Sequence, residues 1–220
     1  MELIKKGLIL MIYTLIAGLV LGGIYVMTKP AIARADLSEK RKAMETVLKD
    51  WKTGGMLVPE DEISKALEKG GEEEVIEREY RGVKGKVILP VYEFDSKVGK
   101  VYVLVGAAPG FGGDVKVMAA FVKGERGVYL NAIKVLDASQ ETPGLGAKIL
   151  DPSIQKRFYG IPQGGLEKGV VVDKDAKGRM GKGVVRTSDV MTGATITPRA
   201  VANAINIMYE YLKERVGGEM

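Results

Sequence analysis

Among its 220 residues the chain has no cysteine and no histidine. The first absence excludes disulfides, thiolate nucleophiles and iron–sulfur ligation. The second excludes histidine acid–base catalysis and, with cysteine also missing, almost every zinc-site pattern. No metal site and no catalytic residue is therefore read from the sequence, and any redox chemistry has to come from an organic cofactor. Aromatic residues are scarce at 6%, with one tryptophan, and none alternate with Lys or Arg in a run. Nucleic acid is accordingly not an expected partner. Neither sign of charge dominates: 33 basic and 28 acidic residues leave a formal net charge of +5. Such a mildly basic surface suits the neighbourhood of anionic lipid.

Hydrophobic residues make up 46% of the chain, and one stretch is set apart from the rest. Residues 7–27 (GLILMIYTLIAGLVLGGIYVM) carry no charge over 21 positions, with Lys5 and Lys6 before them and Lys29-Pro30 after. At about 1.5 Å rise per residue this run matches the roughly 30 Å hydrocarbon core of a bilayer. The expected organisation is a cytoplasmic N-terminus at 1–6, a transmembrane helix at 7–28, a helical stalk at 29–55 and an extracytoplasmic domain at 56–220. A cleaved signal peptide is the rival reading, with Ala33-Arg34-Ala35 as its A-x-A site. Its apolar region would ordinarily run only about 7–15 residues, so a retained anchor in the lipid bilayer is preferred. The flanking basic residues nearly balance, and both readings favour export of the remainder of the chain.

The stalk is expected to present Ile32, Ala35, Ala43, Met44, Val47, Leu48 and Trp51 at helical spacing, until Thr53-Gly54-Gly55 breaks it. A second helix is expected over 59–69, ended by Gly70-Gly71. Strand-like runs come next at 75–80, 86–94, 100–107, 115–122 and 128–135, separated by turn residues at hairpin spacing. A short helix is expected at 151–159, with edge strands at 170–172 and 184–186 around a polar loop at 173–183. In the last element, Thr197-Pro198 reads as an N-cap followed by proline at the first helical position. Val201, Ala204, Ile205, Met208, Tyr211 and Leu212 form one apolar face, and Gly217-Gly218 ends the helix. The fold class is α+β: an N-terminal transmembrane helix, then a largely antiparallel sheet covered by helices on one side.

Directly before that helix stands Asp189-Val190-Met191-Thr192-Gly193-Ala194-Thr195-Ile196-Thr197-Pro198. Gly193 and Ala194 allow a bulky ligand to approach the backbone. The helix N-terminus offers free N–H donors and partial positive charge, which favour a phosphate. Thr192, Thr195 and Thr197 place three hydroxyls around that point. The same residues also suit a plain capped helix after a small-residue turn, and local chemistry alone leaves both readings open.

Asp189, Thr192, Gly193, Ala194 and Thr195 match the pattern D-x-x-[S/T]-G-A-[S/T]. The segment resembles the flavinylation motif of FMN-binding domains, found in the G subunit of the Rnf complex and the C subunit of the sodium-pumping NADH:quinone oxidoreductase. Glu141-Thr142-Pro143-Gly144-Leu145-Gly146 resembles the E-T-P-G-L-G block of the same family, and Gly110-Phe111-Gly112-Gly113 resembles its Gly-aromatic-Gly-Gly turn. The resemblance implies FMN joined covalently by a phosphoester to Thr195. It implies that Glu141, Thr142, Gly144, Leu145, Gly146, Thr192, Gly193, Ala194 and Thr197 border the cofactor. Asp189, Thr192, Gly193, Ala194 and Thr195 would be read by a flavin transferase that uses FAD and a divalent metal. Family members often carry a histidine just before the Glu of the block. Ser139-Gln140 stand here, so no role of that histidine carries over.

The function that the resemblance implies is an electron-transfer subunit of an Rnf-type complex, which passes electrons between ferredoxin and NAD and moves Na⁺ or H⁺. Its partners would be the other membrane subunits, and its place the inner (cytoplasmic) membrane. The C subunit of the sodium-translocating NADH:quinone oxidoreductase is the nearer alternative. A membrane-tethered FMN-binding sensory module and an unmodified structural anchor are the more distant ones. Lys148, Arg186 and Arg199 are the basic residues considered for stabilising an anionic flavin. The apolar span holds no ionisable residue, so nothing in it resembles an ion path.

Overall fold

The computed structural model describes residues 2–71, 73–125 and 127–216, in two units that divide between Lys40 and Arg41. Over its described residues the first unit is helical throughout. It belongs to α1 (Glu2–Val47), a helix that carries Pro30 in its interior and whose apolar stretch is long enough to cross a membrane.

The second unit begins with the last residues of α1. The helix stops at Val47, short of the Gly54-Gly55 break, because a polar turn takes over. Asp50 Oδ1 accepts the N–H groups of Lys52 and Thr53 at 2.9 and 2.7 Å, and Lys49 bridges back to Met56. Asn131 seals the helix end: its Nδ2 donates to the carbonyls of Val47 and Lys49 at 2.7 and 2.8 Å. The Val47 carbonyl is among the groups a helix C-terminus leaves without an internal partner. Trp51 falls in the turn and stays partly exposed, so the helical apolar face ends at Val47, with Leu48 buried just beyond it. Helix α2 (Glu60–Lys69) comes next, with three acidic residues in its first turn and Gly70 N–H bonding Ala66 C=O.

The sheet is a five-stranded antiparallel meander: β1 (Val75–Tyr80), β2 (Val83–Ser96), β3 (Gly99–Pro109), β4 (Asp114–Gly124) and β5 (Gly127–Asp137), in spatial order 1-2-3-4-5. Each strand encloses the run read from sequence. Strand β3 is buried from Val101 to Ala108 without alternation, the mark of a strand covered on both faces. On one face Tyr102, Leu104 and Ala108 join Ala204, Ile205 and Met208 of α5 (Ile196–Arg215). On the other, Val101, Val103 and Val105 join Ala43, Met44 and Val47 of α1 and Ile63 and Leu67 of α2. Helices thus cover both sides of the sheet, where the sequence suggested one. The α1 and α2 face was missed because those helices precede the sheet in sequence and nothing local shows which surface they meet.

Between β5 and α5 the chain forms short elements: α3 (Pro152–Gln155), α4 (Gln163–Glu167) and the two-residue strands β6 (Val171–Val172) and β7 (Val184–Val185). β6 and β7 pair in parallel with each other and are not edges of the main sheet. Gln155 fastens the start of this region, accepting Val135 N–H at 3.1 Å and donating to the carbonyls of Ile149 and Leu150 at 3.0 Å. Asn206 of α5 holds the other end, exchanging two hydrogen bonds with the backbone of Val170 at 2.7 and 2.9 Å. Gly217-Gly218, expected to end α5, lie outside the described residues.

Candidate functional site

The two motif segments meet at a buried pair. Glu141 and Thr197 are 4% and 1% exposed, and the Thr197 hydroxyl donates to Glu141 Oε2. The other carboxylate oxygen, Oε1, accepts the N–H of Phe111 at 2.7 Å. One side chain therefore ties together the Gly-Phe-Gly-Gly turn, the E-T-P-G-L-G loop and the first turn of α5. Gly146 completes the junction, since a Cβ there would sit 2.6 Å from Glu141 Oε2 and 2.7 Å from Thr197 Oγ1. Any side chain at this position would part the pair. The neighbouring Gln140 packs against Gly112 and Gly113.

This arrangement corrects the expected cap of α5. The helix begins at Ile196, Thr195 occupies the capping position without a side-chain cap, and Thr197 is already inside the first turn. Pro198 therefore lies two residues deeper than expected, still where an N–H has no intrahelical acceptor. The carboxylate of Glu141 draws the Thr197 hydroxyl away from its own backbone, which sequence periodicity has no means of revealing.

Above the junction the loop is open. Leu145 N–H bonds Thr142 C=O at 3.2 Å, with Pro143 and the positive-φ Gly144 (φ 73°) at the centre of the turn, the residue pattern of a type II turn. Thr142 is half-buried, while Gly144 and Leu145 are exposed and Gly146 is buried. Three exposed apolar side chains each stand one residue or less from the junction: Phe111 (69%), Leu145 (43%) and Ile196 (40%).

The turn around Thr192 to Thr195 is held from two directions. Ser188 C=O accepts the Thr192 hydroxyl at 3.1 Å, Ala194 N–H bonds Met191 C=O at 3.2 Å, and the buried Met191 roots the turn in the core. Gly193 sits at φ 86°, a conformation that L side chains rarely adopt. Thr192 and Gly193 are exposed, and Ala194 and Thr195 half-buried.

Asp189 accepts Arg157 Nη1 at 2.6 Å, and Arg157 also bonds Arg186 C=O at 2.9 Å. Arg186 Nε lies 3.7 Å from the other oxygen of Asp189. The hydrogen bond from Arg157 holds the Asp189 carboxyl below its ordinary range, with the nearby charges of Arg157 and Arg186 adding to the effect.

The polar loop supplies a second clamp, to which the sequence assigned no role. In the 3₁₀ turn Asp173–Asp175, Asp173 accepts the N–H groups of Thr187 and Ser188 at 3.2 and 3.3 Å and the Ser188 hydroxyl. Burial disfavours the charged form of Asp173, but these donors outweigh it and keep the pKa below the ordinary value. Asp175 holds Arg199 through two bonds, at 2.5 and 2.7 Å. Between them, Lys174 Nζ donates to Thr195 Oγ1 at 3.3 Å. Of the basic residues considered for an anionic flavin, Arg199 is engaged by Asp175, Arg186 faces Asp189, and Lys148 is exposed in the 3₁₀ turn Gly146–Leu150. Arg157 and Lys174 belong to no motif in the sequence.

The residues fit a phosphate-tethered aromatic cofactor: a half-exposed hydroxyl free of capping duty, an ammonium beside it, and exposed apolar side chains around the junction. Residues 110–210 match the FMN-binding domain family. The solved structure of a Thermotoga maritima protein described as an RnfG subunit of an electron transport complex is 44% identical, with a TM-score of 0.65. The likeness covers 80% of this chain and 97% of that one. This chain belongs to the RnfG family. Another relative, the G subunit of the ion-translocating oxidoreductase complex of Buchnera aphidicola, is 38% identical over 112 residues, 49% of this chain. The chain spans about 60% of the length of that relative. Within this RnfG-family chain, the Gly-Phe-Gly-Gly turn, the E-T-P-G-L-G loop and most of α5 fall inside the FMN-binding match, whereas β1 to β3 lie wholly before it.

Proposed function

We propose that this chain is the FMN-carrying electron relay of a membrane-bound, ion-translocating Rnf-type oxidoreductase, with the flavin joined through a phosphoester to Thr195. Support comes from one observation above the others: the buried Glu141–Thr197 pair brings the two motif segments together, in a chain of the RnfG family. The flavin, when bound, supplies one- and two-electron transfer.

The chain's own residues bind and orient. Thr195 anchors the phosphate, the turn around Gly193 gives room for it, and Leu145, Phe111 and Ile196 offer apolar surface to the ring. Thr142, Gly144, Thr192 and Ala194 line the approach. Asp189, held by Arg157, marks the turn for the flavin transferase. The helix over residues 7–28 anchors the chain in the cytoplasmic membrane, with residues 56–220 on the extracytoplasmic side and the other subunits of the complex as partners.

Intact mass tests the reading. Co-expression with a flavin transferase is expected to add FMN less one water, and Thr195→Ala to abolish both that gain and the in-gel fluorescence that survives denaturation. Fluorescence persisting in the variant would move the attachment to Thr192, which is exposed, rather than to Thr197, which is buried under Glu141. No mass gain in the unmodified sequence would overturn the covalent assignment.

A further inference from the structure

We propose that Lys174 is the cation that assists phosphoryl transfer onto Thr195 and then pairs with the phosphodiester formed there. The proposal rests on Thr195 being the acceptor and adds a residue that no motif contains.

Three features of the 3₁₀ turn carry it. First, the turn is fastened to the acceptor segment on both sides of Lys174, by Asp173 to Thr187 and Ser188 and by Asp175 to Arg199. Its position beside Thr195 is thus set by the fold rather than by a free side chain finding a partner. Second, both flanking carboxylates are engaged by those bonds, and among the described residues Lys174 makes no ion pair. Its ammonium has Thr195 Oγ1 as its hydrogen-bond partner, at 3.3 Å. Third, Lys174 is exposed and Thr195 half-buried, so a transferase can bring a substrate to both. The other cations nearby are less available: Arg199 is held bidentately and Arg186 lies toward Asp189.

The chemistry asks for such a group. Thr195 Oγ forms a bond to the flavin-side phosphorus of a flavin adenine dinucleotide, and the bond from that phosphorus to the bridging oxygen breaks. AMP leaves with that oxygen and the bonding electron pair, the hydroxyl proton passes to a base of the transferase, and no atom changes oxidation state. Negative charge gathers around Oγ during the transfer and one charge stays on the phosphodiester. An ammonium already aimed at Oγ requires no rearrangement to meet it, and Lys supplies it as a compact point charge.

The full-length chain, purified without flavin, is incubated with the transferase, FAD and Mg²⁺, and the initial rate of covalent flavin incorporation is followed by mass. Lys174→Gln is expected to slow incorporation about tenfold without changing the melting temperature of the unmodified protein. Lys174→Arg, which keeps the charge, is expected to recover most of the rate. Incorporation into Lys174→Gln at the unaltered rate would overturn the proposal, and so would an equal loss in Lys174→Arg. Failure of the unsubstituted chain to incorporate flavin at all would instead overturn the Thr195 assignment, and this proposal with it.

Discussion

Thr197 donates its hydroxyl to Glu141 across 56 residues of sequence, and Gly146 lies so close to both that it has no room for a Cβ. The pair is the point where the two motif segments become one surface. Thr197→Val keeps the shape but leaves a buried carboxylate short of one donor. A loss of about 1–3 kcal/mol in unfolding free energy is expected, read as a lower urea midpoint at constant slope. Gly146→Ala should cost a similar amount, about 1–3 kcal/mol, by forcing the pair apart. A midpoint unchanged in both variants would remove the junction from the stability of the domain.

Arg157 bonds Asp189 and the carbonyl of Arg186 at once, so it fixes the entrance to the turn around Thr195. Arg157→Ala is expected to leave the melting temperature close to that of the unsubstituted chain, because exposed ion pairs add little stability. The initial rate of flavin incorporation should nonetheless fall several-fold, as the turn loses its fixed geometry. Both bonds come from Nη1, so Arg157→Lys keeps a donor able to make two bonds but on a shorter side chain without the rigid guanidinium plane, and it should recover only part of the rate. Equal rates in all three proteins would show that Asp189 needs no support from Arg157.

The five strands were legible because each run of β-branched and aromatic residues is bounded by turn residues, and the turn around Thr195 stood out because its residues form a motif. Three features were not. The two-sided cover of the sheet depends on where α1 and α2 dock, which their own sequences leave open. The start of α5 was misread by two residues, since Thr197-Pro198 is a good local cap and only the distant Glu141 overrides it. Arg157 and Lys174 reach Asp189 and Thr195 from 32 and 21 residues away, and an isolated basic residue in a polar stretch carries no mark of its destination.

Acid should weaken the domain through its turns. Asp173 and Asp189, together with Asp50, Asp137 and Asp151, have pKa values lowered by folding. A carboxyl depressed in the folded state contributes stability that is complete above its unfolded value of about 3.9 and lost as pH falls through the folded value. The melting temperature should thus be insensitive to these groups near neutrality and fall steeply below about pH 4. Asp173→Asn should lower the melting temperature at pH 7 and flatten the acid limb. Parallel acid limbs for Asp173→Asn and the unsubstituted chain would rule out Asp173 as a contributor.

Leu145 and Phe111 offer apolar surface beside the junction without holding it together, because only the backbone of Phe111 bonds Glu141. Leu145→Ala should therefore leave the mass gain from covalent flavin unchanged, since the proposed attachment lies on the turn around Thr195. The ring's surroundings should change instead: removing an apolar side chain admits water and better solvates the charged reduced form. A raised midpoint potential and a shifted visible absorbance maximum are the expected signs, with Phe111→Ala acting in the same direction and the double variant exceeding either. An attached flavin whose spectrum and potential match the parent in all three variants would place the ring away from this loop, and the E-T-P-G-L-G block would then serve only to hold Glu141 under Thr197.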